Sequence, residues 1–243
     1  MIYGYSERGI FNSIIYYLDA KPELIGKFLE KLEVEGFTEG KHTFTFLNEQ
    51  SFSDFGDNDL TIIIDEETEN KTVVFIEGKV KTFSGKYCLE NEFVKIRDAK
   101  EVFKGISSNI FVQLYYKYVL QKVVNSGEKN TEKFVIDDIF KKKNRRGELV
   151  ERSIGENGVV LEVCKRIEKA KYYYIAILPE NINVNPFSEY FEKIDQMKLE
   201  VVNINFVYWG IIEKFFENVK PVYQNFVFNK AKDKKGIFQS QIY

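Results

Sequence analysis

Histidine and cysteine are scarce in this chain, and their scarcity limits the chemistry open to it. His42 is the single histidine among 243 residues, which excludes zinc sites built on several histidines. A catalytic triad could be built on that residue alone, and we assign it no function. Cys88 and Cys164 lie far apart without metal-type spacing, so we expect two small buried thiols rather than a disulfide framework or a zinc site. This usage favours an intracellular, cytoplasmic location.

A strong charge imbalance and a long hydrophobic run are also lacking. The 35 basic and 37 acidic residues give a formal net charge of -2, which weighs against tight nonspecific nucleic-acid binding by the whole molecule, although a local basic patch could still bind. No apolar run has the length of a membrane span, so no membrane association is expected. The composition suits one globular domain over residues 1–243, with a polar, basic insertion at about 125–152.

The stretch from residue 57 to 83 is the most informative part of the chain. Two β-branched apolar runs, 60–64 and 72–76, flank the polar segment EETENK and predict a β-hairpin. With the turn centred on Thr68, antiparallel pairing sets Asp59 opposite Glu77. Because side chains alternate along a strand, Glu77, Lys79 and Lys81 share one face. The hairpin therefore predicts a cluster of two carboxylates and a lysine at one end.

Two carboxylates facing each other across strands repel, so this cluster calls for a compensating cation. Oxygen-only ligands suit Mg²⁺ or Mn²⁺, and Lys79 beside the ion could orient the attacking water and offset charge on a phosphate. The competing interpretation is an exposed hairpin end with ordinary surface charges. Glu-x-Lys also occurs at 39–41 and 69–71, but only the copy at 77–79 ends an apolar strand with an Asp at the mirrored position.

The remaining sequence alternates between helical and strand periodicity, which predicts an α/β protein with a mixed sheet flanked by helices. A strand starting at Thr43 should complete a three-strand meander with the hairpin, and later strands should pair in parallel. The predicted helices span 7–18, 22–35, 109–124, 158–170 and 186–197, and the later strands span 172–178 and 201–208 with a short helix after them. Ser107 or Ser108 is the expected N-cap of the long helix. The strand 172–178 should be buried on both faces.

Several polar residues are candidates for binding a substrate. Gln113 and Lys117 are four residues apart on one face of the long helix, with Tyr116 near them, although a solvated face explains them equally well. The run 141–146, which contains Lys142 and Arg145, could grip a phosphate backbone or form a solvated loop. We add Lys81 to these candidates because it follows Lys79 on the same strand face.

The order of elements, with Asp59 at the start of one strand and Glu77 and Lys79 at the end of the next, resembles the PD-(D/E)xK phosphodiesterase superfamily, also called restriction-endonuclease-like. Glu7 looks like the glutamate found in the first helix of many members. The helix carrying Gln113 is similar to the Gln-and-Tyr helix of the exonuclease-like branch. The chain departs from these patterns in having Asn58 before Asp59 in place of Pro and Lys117 in place of the Tyr.

The resemblance implies a restriction-endonuclease-like core and metal-dependent hydrolysis of phosphodiester bonds in a nucleic acid, DNA or RNA. Asp59, Glu77 and Glu7 would be the metal ligands, for Mg²⁺ or Mn²⁺, and Lys79 would assist the attacking water. The alternative is a non-catalytic module on the same fold that binds a nucleic acid or a protein. A homodimer or another protein partner also stays open at this point.

Overall fold

The structure, a computed structural model, describes residues 7–80, 87–97, 108–134, 136, 138–179 and 204–218. The expected helix over 186–197, the residue Lys81 and the tail after Pro221 lie outside these ranges. The main strands are β1 (Phe44–Ser51), β2 (Asp57–Ile64), β3 (Thr72–Gly78), β6 (Lys171–Leu178) and β7 (Ile204–Tyr208), and the short strands β4 (Lys142–Lys143) and β5 (Leu149–Val150) form a separate pair.

The five main strands form one mixed sheet in the order β1-β2-β3-β6-β7. The pairs β1–β2 and β2–β3 are antiparallel, whereas β3–β6 and β6–β7 are parallel. Ile64 pairs with Thr72 and Leu60 with Ile76, which is the register expected from a turn centred on Thr68. The expectations of a meander followed by parallel strands, and of an α/β class with a mixed sheet, are confirmed.

Helices cover both faces of this sheet: α1 (Glu7–Asp19), α2 (Ile25–Lys31), α3 (Leu89–Arg97), α4 (Ile110–Ser126), α5 (Gly158–Ile167) and α6 (Trp209–Asn218). Because side chains along a strand point alternately to the two faces of the sheet, each face has its own hydrophobic core. On β3, Val73 and Phe75 pack with α3, α4 and α5, while Val74 and Ile76 pack with α1, α2 and α6. β6 lies between β3 and β7 and is buried from Tyr174 to Leu178, as its apolar run predicts.

Three local features differ from the sequence predictions. Helix α4 is capped by Asn109, whose side chain accepts the N–H groups of Phe111 and Val112, and not by Ser107 or Ser108. Helix α2 ends at Lys31 and is followed by Glu33 in the left-handed region, so it is shorter than expected. Helix α3 and the β4–β5 pair were not predicted.

Among the described residues, no helix combines the length and apolar character of a membrane span.

Candidate active site

Asp59 and Glu77 lie on the face of the sheet that packs against α4. Asp59 is one residue before Leu60, and Glu77 one residue after Ile76, so the pairing of Leu60 with Ile76 brings the two carboxylates to neighbouring positions. The Oδ2 atom of Asp59 accepts a hydrogen bond of 2.8 Å from the N–H of Gly78. This contact ties the start of β2 to the end of β3 and fixes the Asp59 side chain beside Glu77.

Glu77 is a fully buried carboxyl group without a hydrogen-bond donor. The residue is 0% exposed, and neither of its carboxyl oxygens has a hydrogen-bond partner among the described residues. Burial raises the pKa of Glu77 well above the ordinary carboxyl value, the Lys117 ammonium group opposes that shift, and the carboxyl of Asp59 adds to it. Two unpaired acceptor oxygens beside a second carboxylate form a place where a cation would be stabilised.

Lys117 supplies the nearest buried positive charge. Its side chain is 0% exposed, and its Nζ atom lies 4.0 Å from Oε1 of Glu77. The same Nζ donates to the backbone carbonyls of Phe55 at 2.9 Å, Gly56 at 3.3 Å and Asp57 at 2.9 Å. Burial lowers the pKa of Lys117, while the carboxylate of Glu77 opposes the shift.

The expectation that Lys117 contacts the substrate is therefore corrected. A side chain with no exposed surface, whose donors are taken up by backbone carbonyls, cannot reach a bound ligand. Lys117 instead holds the loop that leads into β2. Its flanking positions gave a signal of this burial, since Leu114 and Leu120 stand three residues away on either side and both are buried.

Lys79 follows β3 directly, and its backbone is held from two sides. Its N–H donates to the carbonyl of Ile177 on β6 at 2.8 Å, and its carbonyl accepts the indole N–H of Trp209 at 2.9 Å. The Nζ atom donates to Oε1 of Gln113 on α4 at 2.7 Å. Lys79 also opposes the raised pKa of Glu77, so its ammonium group acts on the same carboxyl.

A cavity of about 590 Å³ opens beside this cluster. The loop from Ser53 to Asp59 forms one wall, and the other residues around it are Arg8, Glu49, Ser108, Gln113, Tyr116, Lys142 and Arg152. Its volume lies within the range of small-ligand pockets. The cavity thus has Asp59 and Gln113, the partner of Lys79, in its lining.

The other predicted site residues differ in burial and in their distance from the carboxylates. Tyr116 is buried but lines the cavity, and its hydroxyl accepts a hydrogen bond of 2.7 Å from Arg152. Lys142 is exposed and pairs with Asp54, whereas Arg145 is exposed in the turn between β4 and β5. Glu7 begins α1, and its side chain lies outside the described part.

Sequence reasoning missed Asp54 and Arg152. The Arg152 guanidinium group donates to the carbonyls of Asp54 and Phe140 and stacks 3.9 Å from the centre of the Tyr116 ring. Nothing in the local sequence indicated these contacts, and the one between Arg152 and Asp54 joins segments almost a hundred residues apart.

The described residues contain no group of three or more His, Cys, Asp or Glu side chains arranged to hold a metal ion. Asp59 and Glu77 thus form a two-carboxylate cluster. The chain matches no known protein-family description, no curated protein and no solved structure.

Proposed function

We propose that this protein hydrolyses phosphodiester bonds in nucleic acids with the help of a divalent metal ion, as a restriction-endonuclease-like nuclease. The observation that carries the proposal is the unpaired, buried carboxyl of Glu77 beside Asp59, with Lys79 two residues further on. The positions of these residues on β2 and β3, and the helices on both sides of a mixed sheet, support the resemblance to the PD-(D/E)xK superfamily.

The residues present fit Mg²⁺ or Mn²⁺. Asp59 and Glu77 offer only oxygen ligands, and Mg²⁺ is commonly held by one or two carboxylates together with waters and substrate phosphates. A bound ion would polarise the phosphate and lower the pKa of a water molecule. Glu7, at the start of α1, stays a prediction as a further ligand.

The residues of the chain supply the rest of the chemistry. The ammonium group of Lys79, which donates to Gln113, would hold the attacking water and offset negative charge on the phosphate. Lys117, on α4, would balance the negative charge of Glu77 at a distance of 4.0 Å. It forms no hydrogen bond with either carboxyl oxygen, so both oxygens stay available to a metal ion. Asp59 is aligned by the N–H of Gly78, which leaves its other oxygen to a ligand.

A cleavage assay on labelled single- and double-stranded DNA and RNA, with Mg²⁺, Mn²⁺ or EDTA, tests this function. We expect Lys79→Ala and Asp59→Asn to lower the rate by about a hundredfold or more while the fold survives. Lys71→Ala is the matched control, since Lys71 precedes the opposite end of β3. Metal-dependent cleavage that is unchanged in both site variants would contradict the proposal.

The two-carboxylate cluster also permits a non-catalytic binding module, because no third ligand joins it among the described residues. Titration calorimetry separates the two functions. Binding of Mg²⁺ or Mn²⁺ that is lost in Asp59→Asn supports the nuclease. A folded protein that binds neither ion and cuts no substrate supports the module.

A further inference from the structure

The strands β4 and β5 form a small hairpin with a well-defined turn. The N–H of Asn144 donates to the carbonyl of Glu148 at 3.0 Å, and its Oδ1 atom accepts the N–H groups of Arg146 at 2.9 Å and Glu148 at 3.0 Å. Gly147 closes the turn with a φ of 82°. The tip is therefore held by its own hydrogen bonds, and it presents its two arginines in a fixed place.

The basic residues of this hairpin fall into two groups. Lys141 forms ion pairs with Asp138 at 3.1 Å and Glu151 at 3.2 Å, and Lys142 pairs with Asp54. Lys142 thus joins the hairpin to the loop between β1 and β2, whereas the partners of Lys141 lie in the segments directly before and after the hairpin. The second group consists of Lys143, Arg145 and Arg146, which are exposed and form no ion pair with any residue that the structure describes.

Positive charge is concentrated in this hairpin, because residues 141–150 contain five basic residues and one acidic residue, whereas the chain as a whole has a net charge of -2. Exposed arginines without acidic partners are the groups that bind phosphates in pairs of hydrogen bonds. The tip thus carries three positive charges that are paired with no acidic side chain in the described part of the chain.

The base of the hairpin is joined to the candidate active site by the loop between β1 and β2. The carboxylate of Asp54 in this loop accepts a hydrogen bond from the ammonium group of Lys142 and another, of 3.1 Å, from the backbone N–H of Ser153. The next three carbonyls of the loop are held by Lys117, and Asp59 follows two residues later. Lys142 and Asp59 line the same cavity, so the hairpin stands at the rim of that cavity.

We propose that the tip of the β4–β5 hairpin binds the phosphate backbone of a polynucleotide whose cleaved phosphate lies at Asp59 and Lys79. Arg145 is three residues after Lys142, so at about 3.3 Å per residue the tip reaches up to about 10 Å beyond Lys142. The phosphates of one duplex strand follow one another at about 3.4 Å along the helix axis, so that distance spans several nucleotides. A small phosphodiester filling the cavity would not reach the tip. This inference rests on the proposed function and adds the surface that holds the polynucleotide outside the candidate active site.

Fluorescence anisotropy with a labelled 20-nucleotide DNA strand, without divalent ions, tests the contact. Arg145→Gln/Arg146→Gln should weaken binding about tenfold, and the slope of log K against log salt should fall by about 1.4 for two lost contacts to a single strand. The matched control is Lys27→Gln/Lys31→Gln on α2, which removes the same charge from the opposite face of the sheet. RNA of the same sequence and duplex DNA identify which backbone is preferred.

Hydrolysis of bis(p-nitrophenyl) phosphate with Mg²⁺ or Mn²⁺ separates this inference from the proposed function. Unchanged turnover of this small ester in the arginine variant, together with weaker polynucleotide binding, supports the inference. Equal binding by the arginine variant and the α2 control overturns it, as does wild-type protein that binds none of the three polynucleotides. Tight, hairpin-dependent binding without hydrolysis of any substrate overturns the nuclease function but not the hairpin contact.

Discussion

At the scale of single residues, the bonding of Lys117 explains the state of Glu77. An ammonium group has three donors, and three backbone carbonyls lie within bonding distance of Nζ. Glu77 at 4.0 Å receives the field of the charge but no hydrogen bond. The carboxyl therefore has no hydrogen-bond partner for either oxygen among the described residues, and its burial disfavours the charged form.

Replacing Lys117 by Met should destabilise the protein by about 3–5 kcal/mol, because it removes the buried cation 4.0 Å from Glu77 and takes the ammonium donor from three backbone carbonyls. Urea denaturation measures the loss. Adding Glu77→Gln should recover part of it, since the uncharged amide no longer needs the ammonium group. Lys165→Met is the control, because Lys165 is exposed on α5 and should change stability by less than about 0.5 kcal/mol. An equal loss in both single variants would refute this role.

Gly78 separates the carboxylate of Glu77 from Lys79 and leaves no room for a side chain. A Cβ atom there would lie 2.9 Å from Cε2 of Phe11 and 3.2 Å from Cζ2 of Trp209. We expect Gly78→Ala to cost about 1–3 kcal/mol and to shift Lys79 relative to Gln113. Thermal unfolding measures the cost.

Gly158→Ala is the companion variant for that measurement. Gly158 is the first residue of α5, and a Cβ atom added there would have no other atom within 4 Å. Alanine at this position should therefore be neutral or slightly stabilising. If the two glycine variants unfold at the same temperature, the close packing at Gly78 does not contribute measurably to the stability of the protein.

At the scale of elements, the edge strand β1 is joined to the end of β2 by a histidine and an aspartate. Nδ1 of His42 lies 2.6 Å from Oδ2 of Asp65, and Nε2 lies 2.9 Å from the carbonyl of Glu39. Both partners are acceptors, so both contacts are hydrogen bonds when the ring carries a proton on each nitrogen. The hydrogen bond to Asp65 accordingly raises the pKa of His42 above 6.5.

The stability from this pair should depend on pH. A raised folded-state pKa means that the folded protein holds the proton more tightly, so the contribution is complete below about pH 6.5 and is lost as the pH rises through the folded pKa. Because the pair is partly solvated, its contribution should be below about 1 kcal/mol. Urea denaturation at several pH values should show the advantage of wild type over His42→Gln shrinking with rising pH. A constant difference would contradict the ion pair.

The sequence predicted the long elements because their periodicity is strong. Successive β-branched residues in β2 and β3 specify a buried hairpin, and the length of its turn specifies the register that places Asp59 beside Glu77. Helix α3 escaped prediction because it is short and mostly polar, and β4 and β5 have two residues each. Their positions depend on contacts with distant segments, which no local pattern contains.

The site was predicted in part for the same reason. The register of the β2–β3 hairpin and the alternation of its side chains depend only on nearby sequence. They were therefore enough to predict the positions of the two carboxylates and Lys79. The burial of Lys117 and the contacts of Arg152 arise only when α4 and the residues after β5 meet the β1–β2 loop. A charged residue in a helix is usually solvated, and the apolar residues three positions before and after Lys117 were the one local sign that this lysine is buried.

At the scale of the whole molecule, the candidate site joins the two cores of the sheet. Glu77 faces α4 in one core, whereas Gly78 packs against Phe11 and Trp209 in the other. Lys79 takes its backbone partners from β6 and α6 and its side-chain partner from α4. Because its parts come from segments up to 150 residues apart, the site should form and unfold together with the sheet.

A divalent ion should therefore stabilise the entire protein and not only its local loop. For a dissociation constant of about 1 mM, about 10 mM Mg²⁺ raises the free energy of unfolding by about 1.4 kcal/mol. Since a carboxylate must lose its proton to bind a metal and burial raises the pKa of Glu77, the gain should grow as the pH rises. Thermal unfolding with Mg²⁺ or EDTA measures this gain. It should vanish in Asp59→Asn and persist in Glu162→Gln, an exposed carboxylate on α5; a gain of equal size in both variants would place the ion elsewhere.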